Sequence, residues 1–175
     1  MGRIVRNQPV KLICGLLFKD EAWADKAITI LRRYFGEVDF QSESVPFTQT
    51  AYYEKELGPC LFRKFLAFRR LIEPSSLADI KLITNRIENR LSRKGKRTVN
   101  LDPGYLELAK LILASTKNYS HRIYLGKGIY AELTLMYRGN KFFPLEWTYP
   151  DYRTEWSLRV MQDIRQVYYM HLLKK

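Results

Sequence analysis

The chain has 175 residues, the size of about one domain on the usual prior of roughly 100–200 residues. Hydrophobic residues make up 46 %, which excludes a disordered chain, and no apolar run approaches the ~18 residues of a membrane span. Thirty Lys and Arg against eighteen Asp and Glu give a net charge of +12, which favours anionic partners: RNA, DNA, a nucleotide or a membrane surface. A solubilising Lys-rich surface is the plainer alternative.

Val10 to Phe18 is short, apolar and bounded by charge, so it reads as a buried strand. Asp20 then caps a helix whose apolar residues Trp23, Ala24, Ala27, Ile28, Leu31, Tyr34 and Phe35 recur at helical steps until Gly36. Glu37 to Val45 reads as one further strand, and Pro46 to Pro59 as a long loop or short irregular helix. Leu61 to Ile72 suits a strand, although Phe62, Phe65, Leu66 and Arg69 also fit a helix face. Pro74-Ser75-Ser76 opens a helix with the stripe Leu77, Ile80, Ile83, Ile87, Leu91. It runs into the basic turn Arg93 to Arg97, and Thr98 to Leu101 forms a short strand.

This is the βαββαβ order of a ferredoxin-like unit, an arrangement that serves many functions. Beyond it, Asp102-Pro103-Gly104 predicts a helix start, with Leu106, Ala109, Ile112 and Leu113 on its buried side. A hairpin follows, His121 to Leu125 and Ile129 to Tyr137, joined by Gly126-Lys127-Gly128. The strand Lys141 to Trp147 extends it into a meander, and a closing helix starts near Thr154. The expectation is one α+β domain over residues 1–175: a ferredoxin-like part extended by a helix, a β-meander and a C-terminal helix.

Polar chemistry concentrates between Asn100 and Arg153. Alternation puts Arg122, Tyr124, Tyr130 and Glu132 on one face of the hairpin, Tyr124 opposite Tyr130 and Arg122 opposite Glu132. Arg122 offers a rigid donor fork for phosphate or carboxylate, and Glu132 a base; a cross-strand ion pair on a solvated face is the competing reading. His121, one of two histidines, opens its strand at a loop edge and suits proton transfer, yet it shares the side of Ile123 and Leu125 and equally suits a structural role. His171 lies at the end of the last helix and reads as structural. Asp102 is a helix cap or an acid. Tyr149, Asp151, Tyr152 and Arg153 surround a proline, as a recognition loop with stacking rings or as a cap for the last helix.

Neither a phosphate loop nor a nucleophile elbow is present, and two cysteines and two histidines lack metal-ligand spacing, so no metal and no cofactor is expected. Cys14 reads as a core residue and Cys60 as more exposed; free thiols fit a reducing cytoplasm.

The runs Val99 to Leu106, Ser120 to Glu132 and Trp147 to Tyr152, with the strand Lys11 to Phe18 followed by Asp20, resemble a prokaryotic family known only as a domain of unknown function, DUF4416. The resemblance covers nearly the whole chain and implies a stand-alone prokaryotic protein. It transfers no catalytic residue. Some members carry a GTP-binding label, which is not carried over because the phosphate loop is missing.

Three functions follow as expectations. The leading one is binding of a phosphate-bearing ligand, RNA or a nucleotide, with Arg122 and Lys127 supplying charge and Tyr124, Tyr130, Tyr149 and Tyr152 stacking. The second is a small enzyme on a phosphoester or nucleotide, with His121 as acid/base, Glu132 or Asp102 as its partner and Arg122 as anion clamp. The third is an interaction module without a small ligand.

Overall fold

The computed structural model describes residues 2–4 and 7–174. Among these residues its spine is one nine-stranded antiparallel sheet in the order β2 (Val38–Gln41), β4 (Leu61–Ile72), β1 (Val10–Phe18), β5 (Val99–Leu106), β6 (Lys110–Ser115), β8 (Ile129–Arg138), β7 (Arg122–Gly126), with β3 (Val45–Phe47) added to β4 and β9 (Lys141–Pro144) to β8. The central strand β1 (Val10–Phe18) is buried on both faces along its whole length. It pairs with β4 (Leu61–Ile72) on one side and β5 (Val99–Leu106) on the other.

Helices cover both faces of the sheet. Helix α1 (Glu21–Phe35) starts at the Asp20 cap and buries Ala24, Ala27, Ile28, Leu31 and Phe35. It packs with α3 (Leu77–Leu91) over Leu12, Cys14, Leu16 and Phe18 of β1. On the opposite face α4 (Glu155–Leu173) sets Val160, Met161, Ile164 and Tyr168 against Ile13, Phe65 and Leu135. Even residues of β1 thus feed one core, while on the other face Ile13 feeds the second and Leu17 a smaller cluster with Phe47, Leu57 and Leu61. Burial on both faces explains the near-continuous apolar run, whose one charge, Lys11, is buried against Asp39.

The observed elements depart from the sequence expectations at two places. The segment Glu37 to Val45 is not one strand: β2 (Val38–Gln41) and β3 (Val45–Phe47) add to β4 separately. Between β3 and β4 lies a one-turn helix, α2 (Glu54–Leu57), the shorter of the two forms expected for that segment. The second departure is the larger. No helix starts at Asp102: β5 runs straight through Asp102-Pro103-Gly104 and turns into β6 (Lys110–Ser115).

Pairing outweighs the local cap signal there. Asp102, Pro103 and Gly104 lie opposite Gly15, Cys14 and Ile13 of the central strand. Gly104 also faces Leu113 on β6, and a Cβ at Gly104 would sit 2.4 Å from the Ile112 carbonyl oxygen. Glycine marks this close approach of two backbones rather than a helix start.

The hairpin of β7 (Arg122–Gly126) and β8 (Ile129–Arg138) has the expected register, Arg122 opposite Glu132 and Tyr124 opposite Tyr130. Its faces are not as expected. Ile123 and Leu125 are exposed at the sheet edge, while Glu132 and Thr134 are buried. β9 (Lys141–Pro144) pairs beside β8, and the segment that follows, leading to a 3-10 turn (residues 150–153), folds back on it. Trp147 donates to the Leu133 carbonyl and Thr148 to the Thr134 carbonyl, while Arg122 pairs with Glu132, so the polar side is covered rather than solvated. Both cysteines are free, Cys14 buried and Cys60 exposed.

Candidate functional site

The sheet forks between β5 and β6. Their ladder runs only from Gly104–Leu113 to Leu106–Leu111. Beyond it, β5 continues along β1 as far as Val99 while β6 continues along β8 as far as Ser115. Such a fork strands backbone groups of β5, and buried backbone groups need partners. Helix α3 supplies them. The Lys81 Nζ donates to the Leu101 carbonyl at 2.9 Å, and the Leu101 N–H donates to Glu88 Oε1 at 2.6 Å. Pro103, two residues on and of the same parity, has no N–H to satisfy.

The fork opens into a cavity of about 730 Å³. That falls within the roughly 300–1,000 Å³ of small-ligand sites. One wall is the polar face of α3, Lys81, Asn85 and Glu88; the others are Asn100 and Asp102 of β5, Ser115 at the end of β6 and Lys117 beyond it, and Glu132 of β8. Tyr149, Asp151 and Tyr152 close it from the 3-10 turn, and Tyr52 and Tyr53 bring aromatic rings from the segment before α2.

Two charge networks shape these walls. Arg63 of β4 is buried and joins Asp102, at 3.0 Å, to Asp151. Burial would raise the Asp102 carboxyl, but Arg63 and then Lys81 outweigh it and hold the group below its ordinary value. Arg97 links Glu56 at 2.6 Å, Glu88 at 3.2 Å and the Asn100 Oδ1 at 2.6 Å. Burial lifts the Glu88 carboxyl above its usual range, against the pull of Lys81, the Leu101 N–H and Arg97.

Three buried polar atoms of the lining residues make no hydrogen bond: Arg63 Nε, Asn100 Nδ2 and Tyr152 Oη. The Asn100 amide favours the ionised Asp102 electrostatically without reaching hydrogen-bond geometry. Unsatisfied groups of this kind are rare in native interiors, and their grouping around one cavity marks it as a place where packing is not the sole constraint.

The hairpin network borders the same space. Arg122 donates to Glu132 Oε2 through Nε at 2.8 Å, to Ser115 Oγ at 3.0 Å, to the Lys117 carbonyl at 2.9 Å and to Tyr149 Oη at 2.6 Å. It thereby fixes both the end of β6 and the Tyr149 rim. His121 Nε2 lies 3.1 Å from the same Glu132 oxygen, and its ring is stacked between Tyr119 and Trp147.

Of the residues singled out in the sequence, Asp102, Glu132, Tyr149, Asp151 and Tyr152 line the cavity, and Arg122 and His121 adjoin it through Glu132. Tyr152 is no stacking surface: it is buried against Phe65 and Arg63. Asp102 caps no helix and is an ion-pair partner instead. Arg153 is occupied by the carbonyls of Leu145, Glu146 and Thr148. Lys127 pairs with Asp79 at 2.5 Å, and the exposed Tyr124 packs on Tyr130, away from the lining. No cluster of metal-ligating side chains occurs among the described residues.

Arg63, Lys81, Glu88 and Arg97 were not singled out, and two of them carried a signal. Lys81 and Glu88, with Thr84 between them, sit on the same stripe as Leu77 and Leu91, where a purely structural helix has apolar residues. Gly15, in the middle of an apolar strand, marked the close approach of Arg63 and Tyr152.

Fold and cavity together define an α+β protein with a ligand-sized polar cavity in a forked antiparallel sheet. The chain matches the family model described as Domain of unknown function (DUF4416) over residues 8–168, and it belongs to that family. No curated protein and no solved structure matches it. Among the described residues no helix is long and apolar enough to cross a membrane.

Proposed function

We propose that the protein binds one small phosphate-bearing ligand of nucleotide size in the fork cavity. The observation that carries this reading is the convergence of Asn100, Asp102, Ser115, Lys117, Glu132, Tyr149 and Asp151 on one cavity of about 730 Å³. The acids and bases inside are largely paired with one another, so the interior suits a neutral, hydrogen-bonding ring. The anionic end belongs at the rim. There Lys117 Nζ rests on Tyr52, 2.9 Å from its Oη and 4.6 Å from the ring, with no acid partner among the described residues. Tyr52 and Tyr149 offer ring faces beside it.

The test is a titration with nucleosides, nucleoside monophosphates and inorganic phosphate at low salt, read by calorimetry and by thermal unfolding. Ligand at a hundred times Kd stabilises by about 2.7 kcal/mol, a rise of about 5–11 °C for a chain of this length. Lys117→Ala should weaken monophosphates and leave nucleosides unchanged. Absence of any shift at low salt, where phosphate affinity is strongest, overturns the reading.

The contact of His121 with Glu132 at 3.1 Å favours a second reading, a small enzyme acting on the same ligand. Glu132 lines the cavity, so a proton can pass between it and His121 at the cavity wall. Turnover of a bound nucleotide that is lost in His121→Gln with binding intact supports it; unchanged turnover removes it. The strand order β2-β4-β1-β5 supports reading residues 10–106 as a ferredoxin-like βαββαβ unit to which the remaining strands are added.

A further inference from the structure

The five cations between Asn89 and Leu101 are Arg90, Arg93, Lys94, Lys96 and Arg97, and no acid interrupts them. Only Arg97 has carboxylate partners among the described residues. The other four are exposed. Arg90 lies in the last turn of α3, and the turn that carries the other three is fixed: Arg93 and Lys96 exchange both backbone hydrogen bonds at 2.8 and 2.9 Å, and Lys94 and Gly95 take the positive φ of a tight hairpin. Arg93 is further held over the Trp23 ring, 5.4 Å from its centroid. Like charges packed on a rigid turn repel one another and oppose folding, so a solvated surface has no use for this arrangement.

The turn is also a wall of the cavity. Ser92, Gly95 and Arg97 line it, as do Lys117, Tyr52 and Tyr149. Arg90, Arg93, Lys94 and Lys96 lie outside that lining and cannot serve a ligand confined to the cavity.

We infer that the nucleotide unit in the cavity belongs to a single-stranded nucleic acid, whose neighbouring phosphates run along the turn Arg90 to Arg97. This rests on the nucleotide-sized reading of the cavity. A strand explains both features at once: the rim aromatics and the cavity take one base, and the exposed cations take the flanking phosphates. A free nucleotide leaves four cations unused. A flat anionic membrane reaches the turn but not the cavity behind it.

The experiment measures anisotropy of a fluorescein-labelled mixed-sequence single-stranded RNA of about eight nucleotides, within the usual site size. Nucleoside monophosphates and vesicles of phosphatidylcholine with phosphatidylserine are the companion probes. The variant is Lys94→Asn with Lys96→Gln, because asparagine tolerates the positive φ at position 94. The RNA should bind more tightly than any monophosphate and be displaced by them. In the double variant its affinity should fall about tenfold at low salt, and the slope of log affinity against log salt should flatten by about 1.4, two phosphate contacts' worth. Monophosphate binding should be unchanged.

If monophosphates bind but the RNA binds no tighter, or is indifferent to the double variant, the strand inference is overturned while the cavity reading stands. If monophosphates fail to bind or to displace the RNA, the cavity reading is overturned and the inference with it. Vesicle binding that is lost in the double variant, with RNA binding unchanged, assigns the turn to a membrane surface and overturns the inference.

Discussion

Gly15→Ala tests the packing that shapes the cavity from below. Gly15 sits in β1 opposite Phe65 and Asp102. A Cβ there would lie 2.8 Å from Tyr152 Oη, 3.0 Å from Arg63 Nη1 and 3.2 Å from Phe65 Cε1. All three residues are buried, so the methyl group cannot be accommodated by a solvent-exposed side chain. Overpacking of this kind costs about 1–3 kcal/mol, and the loss of glycine's freedom in the unfolded chain returns about 0.4–1 kcal/mol. The net loss should be about 1–2 kcal/mol, a fall in Tm of about 2–8 °C. Tyr152→Phe alone should be neutral or stabilising, because the hydroxyl it removes is buried without a partner. In the double variant the nearest clashing atom is gone, so the two changes should couple by about 0.5–1.5 kcal/mol. Urea unfolding of the four proteins in the cycle measures this. A Gly15→Ala protein as stable as the parent, or strictly additive effects, would refute the reasoning.

Arg63→Met should destabilise by about 3–5 kcal/mol, since it leaves the buried Asp151 and the partly buried Asp102 without their shared cation; urea midpoints check it. The pH dependence follows from Asp102, whose folded-state carboxyl is held below its ordinary 3.8. A depressed carboxylate contributes stability that is complete above its unfolded value near ~3.9 and lost as pH falls through the lower folded value. Asp102→Asn should therefore flatten the loss of stability below about pH 4, seen as a smaller drop in urea midpoint between about pH 5 and pH 2.

The outer elements were legible because local signals and tertiary packing agree in them. Asp20 caps α1, Thr154 caps α4, and the register of the β7–β8 hairpin follows from its glycine turn. Asp102-Pro103-Gly104 misleads for a definite reason. The same residues that favour a helix start also suit a strand at a fork, where Asp102 meets a buried arginine, Pro103 presents no N–H to the open side and Gly104 lets β6 come close. Period alone cannot separate these, because the deciding contacts come from Gly15, Arg63 and Ile112, remote in sequence. The site was legible only on the residues 100–153 side. Its other half lies on α3 and β4, where Lys81, Glu88 and Arg63 look like stray charges until the fork is known.

Lys81 and Glu88 decide what holds the fork open. Each is buried, they interact electrostatically, and each also caps one backbone group of Leu101. A charge pair retained only for mutual attraction behaves simply: removing one partner is harmful, and replacing both with apolar residues of similar volume is neutral or stabilising. Here Lys81→Met with Glu88→Leu removes both charges but strands the Leu101 N–H and C=O in the interior. Each uncapped group costs about 1–3 kcal/mol, so the double variant should remain about 2–6 kcal/mol less stable than the parent. Urea unfolding of the single and double variants separates the two accounts. A double variant restored to parental stability would mean that the backbone finds other partners when the charges go. The fork would then close without its charged caps, and the polar cavity would not be a necessary consequence of the sheet's geometry.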